Sequence, residues 1–131
     1  MGGRRRTWIG RDEALAVHDM MLAQHGGMAG VRDWALFESA LGRPANLASY
    51  GNPDVADLAA SYAFGIIQNH PFNDGNKRTG FVLGAMFLEL NGYRLTAAED
   101  DVVRCILAVA SGKLSERDLA AWFRSESKRR H

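Results

Sequence analysis

Apolar residues along the chain recur at intervals of three and four more often than two, the spacing of one helical face. Leu15, His18 and Leu22 form such a stripe from about Arg11 to Gln24, and Gly26-Gly27 supplies the left-handed backbone that ends helices. His18 on that stripe reads as a packed, hydrogen-bonded histidine. A shorter second helix, Asp33 to Leu41, presents Leu36, Phe37 and Leu41. It is expected to stop at Gly42-Arg43-Pro44, because proline lacks an N–H and its ring collides with the preceding turn. The polar stretch Gly42 to Asp54, punctuated by Pro44, Gly51 and Pro53, then reads as an ordered loop long enough to be functional. A third helix from about Pro53 to Asn69 carries Leu58, Tyr62, Ile66 and Ile67. The fourth, from about Lys77 to Asn91, has Glu89 as its only charge between Gly80 and Leu90 and is expected at the centre of the molecule. Gly80 and Gly84, one turn apart, predict close approach of another helix. Thr96 with Glu99 reads as a capping box for a fifth helix carrying Val102, Ile106 and Val109. Ser115 with Asp118 opens a sixth that buries Leu119, Trp122 and Phe123. The pattern predicts an all-α fold, a compact bundle of about six helices around a buried central one.

Composition narrows this further. At 131 residues the chain is expected to form a single domain, 1–131, with short basic tails at 1–8 and 125–131. The one cysteine, Cys105, cannot close an internal disulfide and reads as core, and the four histidines show no zinc-ligand spacing. A net charge of +1 calls for neither a nucleic-acid nor a membrane partner, and no run reaches the roughly 20 apolar residues of a membrane span. Arg4, Arg5 and Arg6 at one end, and Lys128, Arg129 and Arg130 at the other, read as solvated tails. Thr7-Trp8-Ile9-Gly10-Arg11 after the first arginines is not a secretory apolar run, so a cytoplasmic location is expected.

Chemistry concentrates in His70-Pro71-Phe72-Asn73-Asp74-Gly75-Asn76-Lys77-Arg78-Thr79, between two apolar helices. The first turn of the fourth helix offers unpaired N–H groups, and Gly75 lets the backbone come close to a ligand. Lys77 and Arg78 add two cations where the helix dipole disfavours them, a placement that costs stability unless an anion, naturally a phosphate, answers it. His70 suits proton abstraction near neutral pH, and Asp74 is a hard oxygen ligand for Mg²⁺. Phe72 is expected to turn inward and pin the loop. The rival structural reading is a plain connector in which His70 and Asp74 cap helix ends. A Walker A loop is excluded, because it needs Gly-Lys-Ser/Thr, a second glycine at fixed distance and a preceding strand.

The string His70 to Thr79 resembles the signature of the Fic/Doc family, and its H-x-F-x-D-G/A-N-K-R form is most similar to the Doc (death-on-curing) toxin branch. The resemblance runs from Gly26-Gly27 through Glu38-Ser39-Ala40-Leu41-Gly42-Arg43-Pro44 to the helices after the motif. It implies a Fic-type helical fold with the stretch after Pro44 as a flap that positions the target. It further implies His70 as general base on a target hydroxyl, Asp74 as the Mg²⁺ ligand, and Asn76, Lys77 and Arg78 with the N–H groups near Gly75 as the clamp on ATP. Fic adenylyltransferases carry Gly where this chain has Lys77 and a second Arg where it has Phe81. The Doc branch, similar at Lys77, turns the nucleotide round and transfers the γ-phosphate. Gly75 departs from that branch, which commonly has Ala there. The resemblance implies a kinase toxin acting on a threonine or serine of a translation protein, elongation factor Tu by analogy. It also implies restraint by a small Phd-like antitoxin whose C-terminal segment folds in a groove of the toxin.

Two other classes compete with this reading. An adenylyltransferase would move AMP instead, and a non-catalytic helical binding module would have lost its nucleotide chemistry, against which the intact His70 and Asp74 argue. No Ser or Thr is followed four residues later by Glu, so the self-inhibitory helix of some Fic enzymes, with its Ser/Thr-x-x-x-Glu pattern, is not matched.

Overall fold

A computed structural model describes residues 5–130 of the chain; Arg4, grouped above with the basic tail, and His131 lie outside them. Six helices follow in order, α1 (Arg11–His25), α2 (Trp34–Tyr50), α3 (Val55–Asn69), α4 (Asn76–Leu90), α5 (Glu99–Ala110) and α6 (Glu116–Ser125). Two three-residue strands, β1 (Tyr93–Leu95) and β2 (Ser127–Arg129), pair antiparallel with Arg94 opposite Lys128. The helical bundle is as the pattern predicts, and the small sheet is an addition to it. None of the helices is long and apolar enough to cross a membrane.

The buried centre is α3 as much as α4. Eleven of the fifteen α3 residues, Leu58, Tyr62, Ile66 and Ile67 among them, are buried, against eight of fifteen on α4. Short apolar and small side chains all round α3 let α2, α4 and α6 pack on different faces of it. The α3–α4 seam is set by glycine. A Cβ on Gly80 would lie 2.9 Å from the Ala63 carbonyl oxygen and one on Gly84 2.9 Å from that of Ala59, so the two backbones approach as closely as glycine allows.

The α2 boundary is where expectation and structure part. Proline was expected to stop the helix at Gly42-Arg43-Pro44, yet α2 continues through Pro44 to Tyr50, and the connection to α3 shrinks to residues 51–54. Pro44 removes one helical hydrogen bond, a cost of about 3 kcal/mol. Burial of Phe37, Ala40 and Pro44, with Leu47 and Ala48 packed against the core, offsets it. The stripe Ala40, Pro44, Leu47 and Ala48 keeps helical spacing straight through the proline. Arg43 anchors the same helix through a 2.7 Å ion pair with Glu116.

Capping follows the sequence unevenly. Ser115 caps α6, accepting the Asp118 N–H at 3.1 Å. Thr96 does not cap α5: Ala98 precedes that helix, and Glu99, Asp100 and Asp101 answer its dipole instead. Thr96 is engaged elsewhere, its N–H and hydroxyl both donating to the Glu126 carbonyl at 2.7 and 2.9 Å. Asp54 and Asp57 form a reciprocal capping box on α3, which therefore starts two residues later than Pro53 suggested. Near both ends, described residues pair with the body of the fold, while Lys128, Arg129 and Arg130 stay exposed. Thr7 exchanges hydrogen bonds with the Asn91 side chain, Ile9 is buried with its N–H on the Tyr62 hydroxyl, and Ser127–Arg129 is the second strand. Cys105 is core as expected, and burial pushes its thiol up to about 11.

Candidate active site

His70 ends α3 in the left-handed region at φ 51°, and it is the only non-glycine residue with positive φ among those described. Such a conformation costs about 1–2 kcal/mol for an L residue and needs outside support. Several contacts supply it. The His70 N–H donates to the Ile66 carbonyl at 3.1 Å, and its own carbonyl accepts the Arg32 guanidinium through Nε at 2.9 Å and Nη2 at 2.5 Å. Residues 29–33 run beside 70–73 as a short ladder. The N–H groups of Arg32 and Asp33 reach the Pro71 carbonyl at 2.7 and 3.1 Å, Val31 bridges Phe72, and Asn73 donates to the Gly30 and Ala29 carbonyls. Nothing in the hydrophobic periodicity marks this pairing, and sequence reasoning missed Arg32 altogether.

Phe72 turns inward as expected. It is 1% exposed, stacks face to face on His18 at 3.7 Å and leans on Phe37 at 5.5 Å. His18 is packed and hydrogen-bonded: its Nε2 donates to the Asp74 carbonyl at 2.8 Å, tying α1 to the turn that precedes α4. Gly75 occupies that turn at φ 81°, and a Cβ there would sit in ordinary contact, 3.4 Å from Leu22 and 3.6 Å from His18. Glycine is thus favoured here by its dihedral angle, not by lack of room.

Asn76 ties the loop to itself. Its side chain is buried, Oδ1 accepting the Phe72 N–H at 2.9 Å while Nδ2 donates to the Phe72 carbonyl at 3.0 Å. Those two bonds fix which way the amide points, and Nδ2 also lies 3.2 Å from Nδ1 of His70. Both amide hydrogens are therefore spent inside the loop, and any part of Asn76 in holding a phosphate falls to its backbone N–H. Replacing Asn76 by Ala leaves the Phe72 N–H and carbonyl without these partners. At the usual penalty for unsatisfied buried groups the loss is about 2–3 kcal/mol, to be read from urea unfolding midpoints.

Lys77 and Arg78 are exposed and make no ion pair or side-chain hydrogen bond among the described residues. The first turn of α4 contains no acidic residue and its N-cap, Gly75, no side-chain acceptor, so the N–H groups of Asn76, Lys77 and Arg78 stay unpaired. Asp74 is exposed beside them, one carboxylate oxygen taking the Met28 N–H at 2.6 Å. These groups line one cleft of about 530 Å³, with His70, Asp74, Gly75, Asn76, Lys77 and Arg78 on one wall and Met21, His25 and Gly26-Gly27 at the end of α1 on the other. All six residues singled out from the sequence thus come together. The arrangement offers an imidazole, a free carboxylate oxygen, two uncompensated cations and a bare helix N-terminus around one open space, which suits transfer of a phosphate-bearing group.

Comparison with known proteins places the chain in a family. Residues 8–88 match the model described as the Fic/DOC family. The chain is 28% identical over 117 residues to "Protein kinase doc" of Escherichia phage P1, an overlap of 88% of this chain and 92% of that protein. It is 40% identical over 100 residues to "Toxin Doc" of Mycolicibacterium smegmatis, covering 74% of this chain and 73% of that one.

Proposed function

The chain belongs to the Fic/DOC family, and from that premise we propose that it is a Doc-like toxin, an enzyme that transfers the γ-phosphate of ATP to a serine or threonine hydroxyl of a translation protein. The observation that carries this reading is the uncompensated positive pole at the start of α4. Three unpaired N–H groups and the exposed Lys77 and Arg78 lie together beside His70, with no acidic side chain in that turn to answer them. Lys77 and Phe81 stand where adenylylating relatives are expected to need glycine and arginine, so the usual nucleotide pose is disfavoured. Phe81 is buried against Trp122 and Phe123, and brings no charge to the phosphates.

In this reading Lys77, Arg78 and the backbone N–H groups hold the phosphates and the charge that develops during transfer. Asp74 suits Mg²⁺: it is a hard, exposed carboxylate with one oxygen free of hydrogen bonds, and that ion commonly takes one or two protein carboxylates with substrate phosphates completing its shell. When bound, Mg²⁺ neutralises and aligns the phosphates. His70 takes the proton of the target hydroxyl. Elongation factor Tu is the proposed target and a small Phd-like antitoxin the proposed restraint, both by family resemblance.

The test uses ATP labelled at either the α- or the γ-phosphate, incubated with the protein, Mg²⁺ and a cell lysate. Label is expected from the γ position only, on a band the size of elongation factor Tu, and lost in Asp74→Ala. Transfer from the α position would make the protein an adenylyltransferase, and transfer from neither would return it to the binding modules.

A further inference from the structure

His70 is the residue on which the proposed chemistry turns, and its backbone is in a conformation that the chain does not adopt at any other described non-glycine position. What holds it there comes from outside α3 and outside the sequence motif. Arg32, on the segment between α1 and α2, directs two N–H groups at the His70 carbonyl and one at the Asn69 carbonyl 3.2 Å away. Its backbone N–H reaches the next carbonyl along, that of Pro71, at 2.7 Å. Three consecutive carbonyls at the end of α3 are thus taken by one residue. These groups have no partner within the helix and carry its partial negative charge, so a cation is favoured there. Arg32 makes no ion pair among the described residues, so no carboxylate competes for its guanidinium.

We infer that Arg32 is a positioning residue for catalysis: by clamping the Asn69 and His70 carbonyls it fixes the left-handed turn that aims the His70 imidazole across the cleft. This rests on His70 being the base of the proposed transfer. The planar guanidinium is suited to the task because it spans two carbonyls at once in a fixed fork, which a lysine ammonium on a flexible stem does not reproduce. Arg32 touches neither the phosphates' pole nor Asp74, so it should act on the chemical step and leave nucleotide binding alone. Asn76 steadies the ring from the other side, through Nδ1, leaving Arg32 to govern the backbone.

The experiment combines kinetics with NMR of ¹⁵N-histidine-labelled full-length protein. In Arg32→Ala, kcat for γ-phosphate transfer is expected to fall about 10- to 100-fold, the scale of a small misplacement of a reacting group, with KM for ATP within about two-fold of wild type. The ring ¹⁵N resonances of His70 should shift or broaden while those of His18, held by Asp74 and Phe72, stay in place. Arg32→Lys should recover only part of kcat. The inference is overturned if kcat stays within two-fold and the His70 signals do not move. It is equally overturned if kcat, KM and the His18 signals change together, since that would mean general loosening of the fold. Should the wild-type protein transfer no phosphate at all, the Proposed function fails, and the His70 and His18 resonances decide the clamp without it.

Discussion

Cells expressing the His70→Ala chain are expected to keep growing at the rate of uninduced controls, and the purified variant to lose 10²- to 10⁴-fold in transfer rate, the usual cost of removing a general base. The expectation is sharp because the substitution is cheap for the fold. His70 is exposed at the end of α3, its ring makes a single 3.2 Å contact with Asn76, and its backbone bonds to Ile66 and Arg32 do not involve the side chain. Alanine is somewhat less at ease than histidine at φ 51°, a difference of about 1 kcal/mol or less, so the melting temperature should fall by only a few degrees. A folded His70→Ala protein as toxic as wild type would remove His70 from the mechanism. The same protein, inactive and folded, is the natural form in which to look for a bound target.

Phe72→Ala should have the largest effect on stability of any single change at the site. The ring is 1% exposed, stacked on His18 and packed on Phe37, and its removal leaves a cavity between α1, α2 and the loop. Buried Phe→Ala changes cost about 3–5 kcal/mol, which for a domain of this size lowers the melting temperature by about 10 °C or more. Activity should fall further than the unfolded fraction explains. Phe72 carries the backbone groups that Asn76 holds, so loosening it releases His70 on one side and the start of α4 on the other. Thermal melts of Phe72→Ala and Phe72→Leu check this, with leucine, which refills part of the space, losing much less. Equal melting temperatures for alanine and wild type would mean that the ring is not the pin.

Much of this site is legible in the sequence because its residues are contiguous. Ten residues spanning the junction of α3 and α4 carry the imidazole, the carboxylate and both cations, so finding the segment finds the cleft wall. The helices were legible for the same local reason, and Gly80 and Gly84 announced the close seam they form. What stayed hidden is non-local. Arg32 meets His70 across 38 residues of chain, and Val31–Arg32–Asp33 is too short to show alternation. The two three-residue strands, which pair across α5 and α6, are invisible for that reason too. At Pro44 a local rule was outweighed by packing: the apolar stripe from Ala40 to Ala48 was present, but the proline in it read as a stop. Asn76 reads from the sequence as part of the phosphate clamp, and only its contacts reveal that its side chain is engaged within the loop.

The glycine seam between α3 and α4 bears on how such a site can be retargeted. With Gly80 and Gly84 each set against a carbonyl oxygen of α3, no side chain lies between the backbones there to be trimmed or enlarged, and the wall that carries His70 and Lys77 is in effect a fixed casting. The opposite wall is not. It is the C-terminal end of α1, where Met21, His25 and Gly26-Gly27 face the cleft; the two glycines are held by their positive φ angles of 80° and 123°, while His25 is exposed. A library aimed at new substrates would therefore leave 70–84 and the two glycines untouched and diversify the exposed His25, varying recognition while the catalytic geometry stays in register.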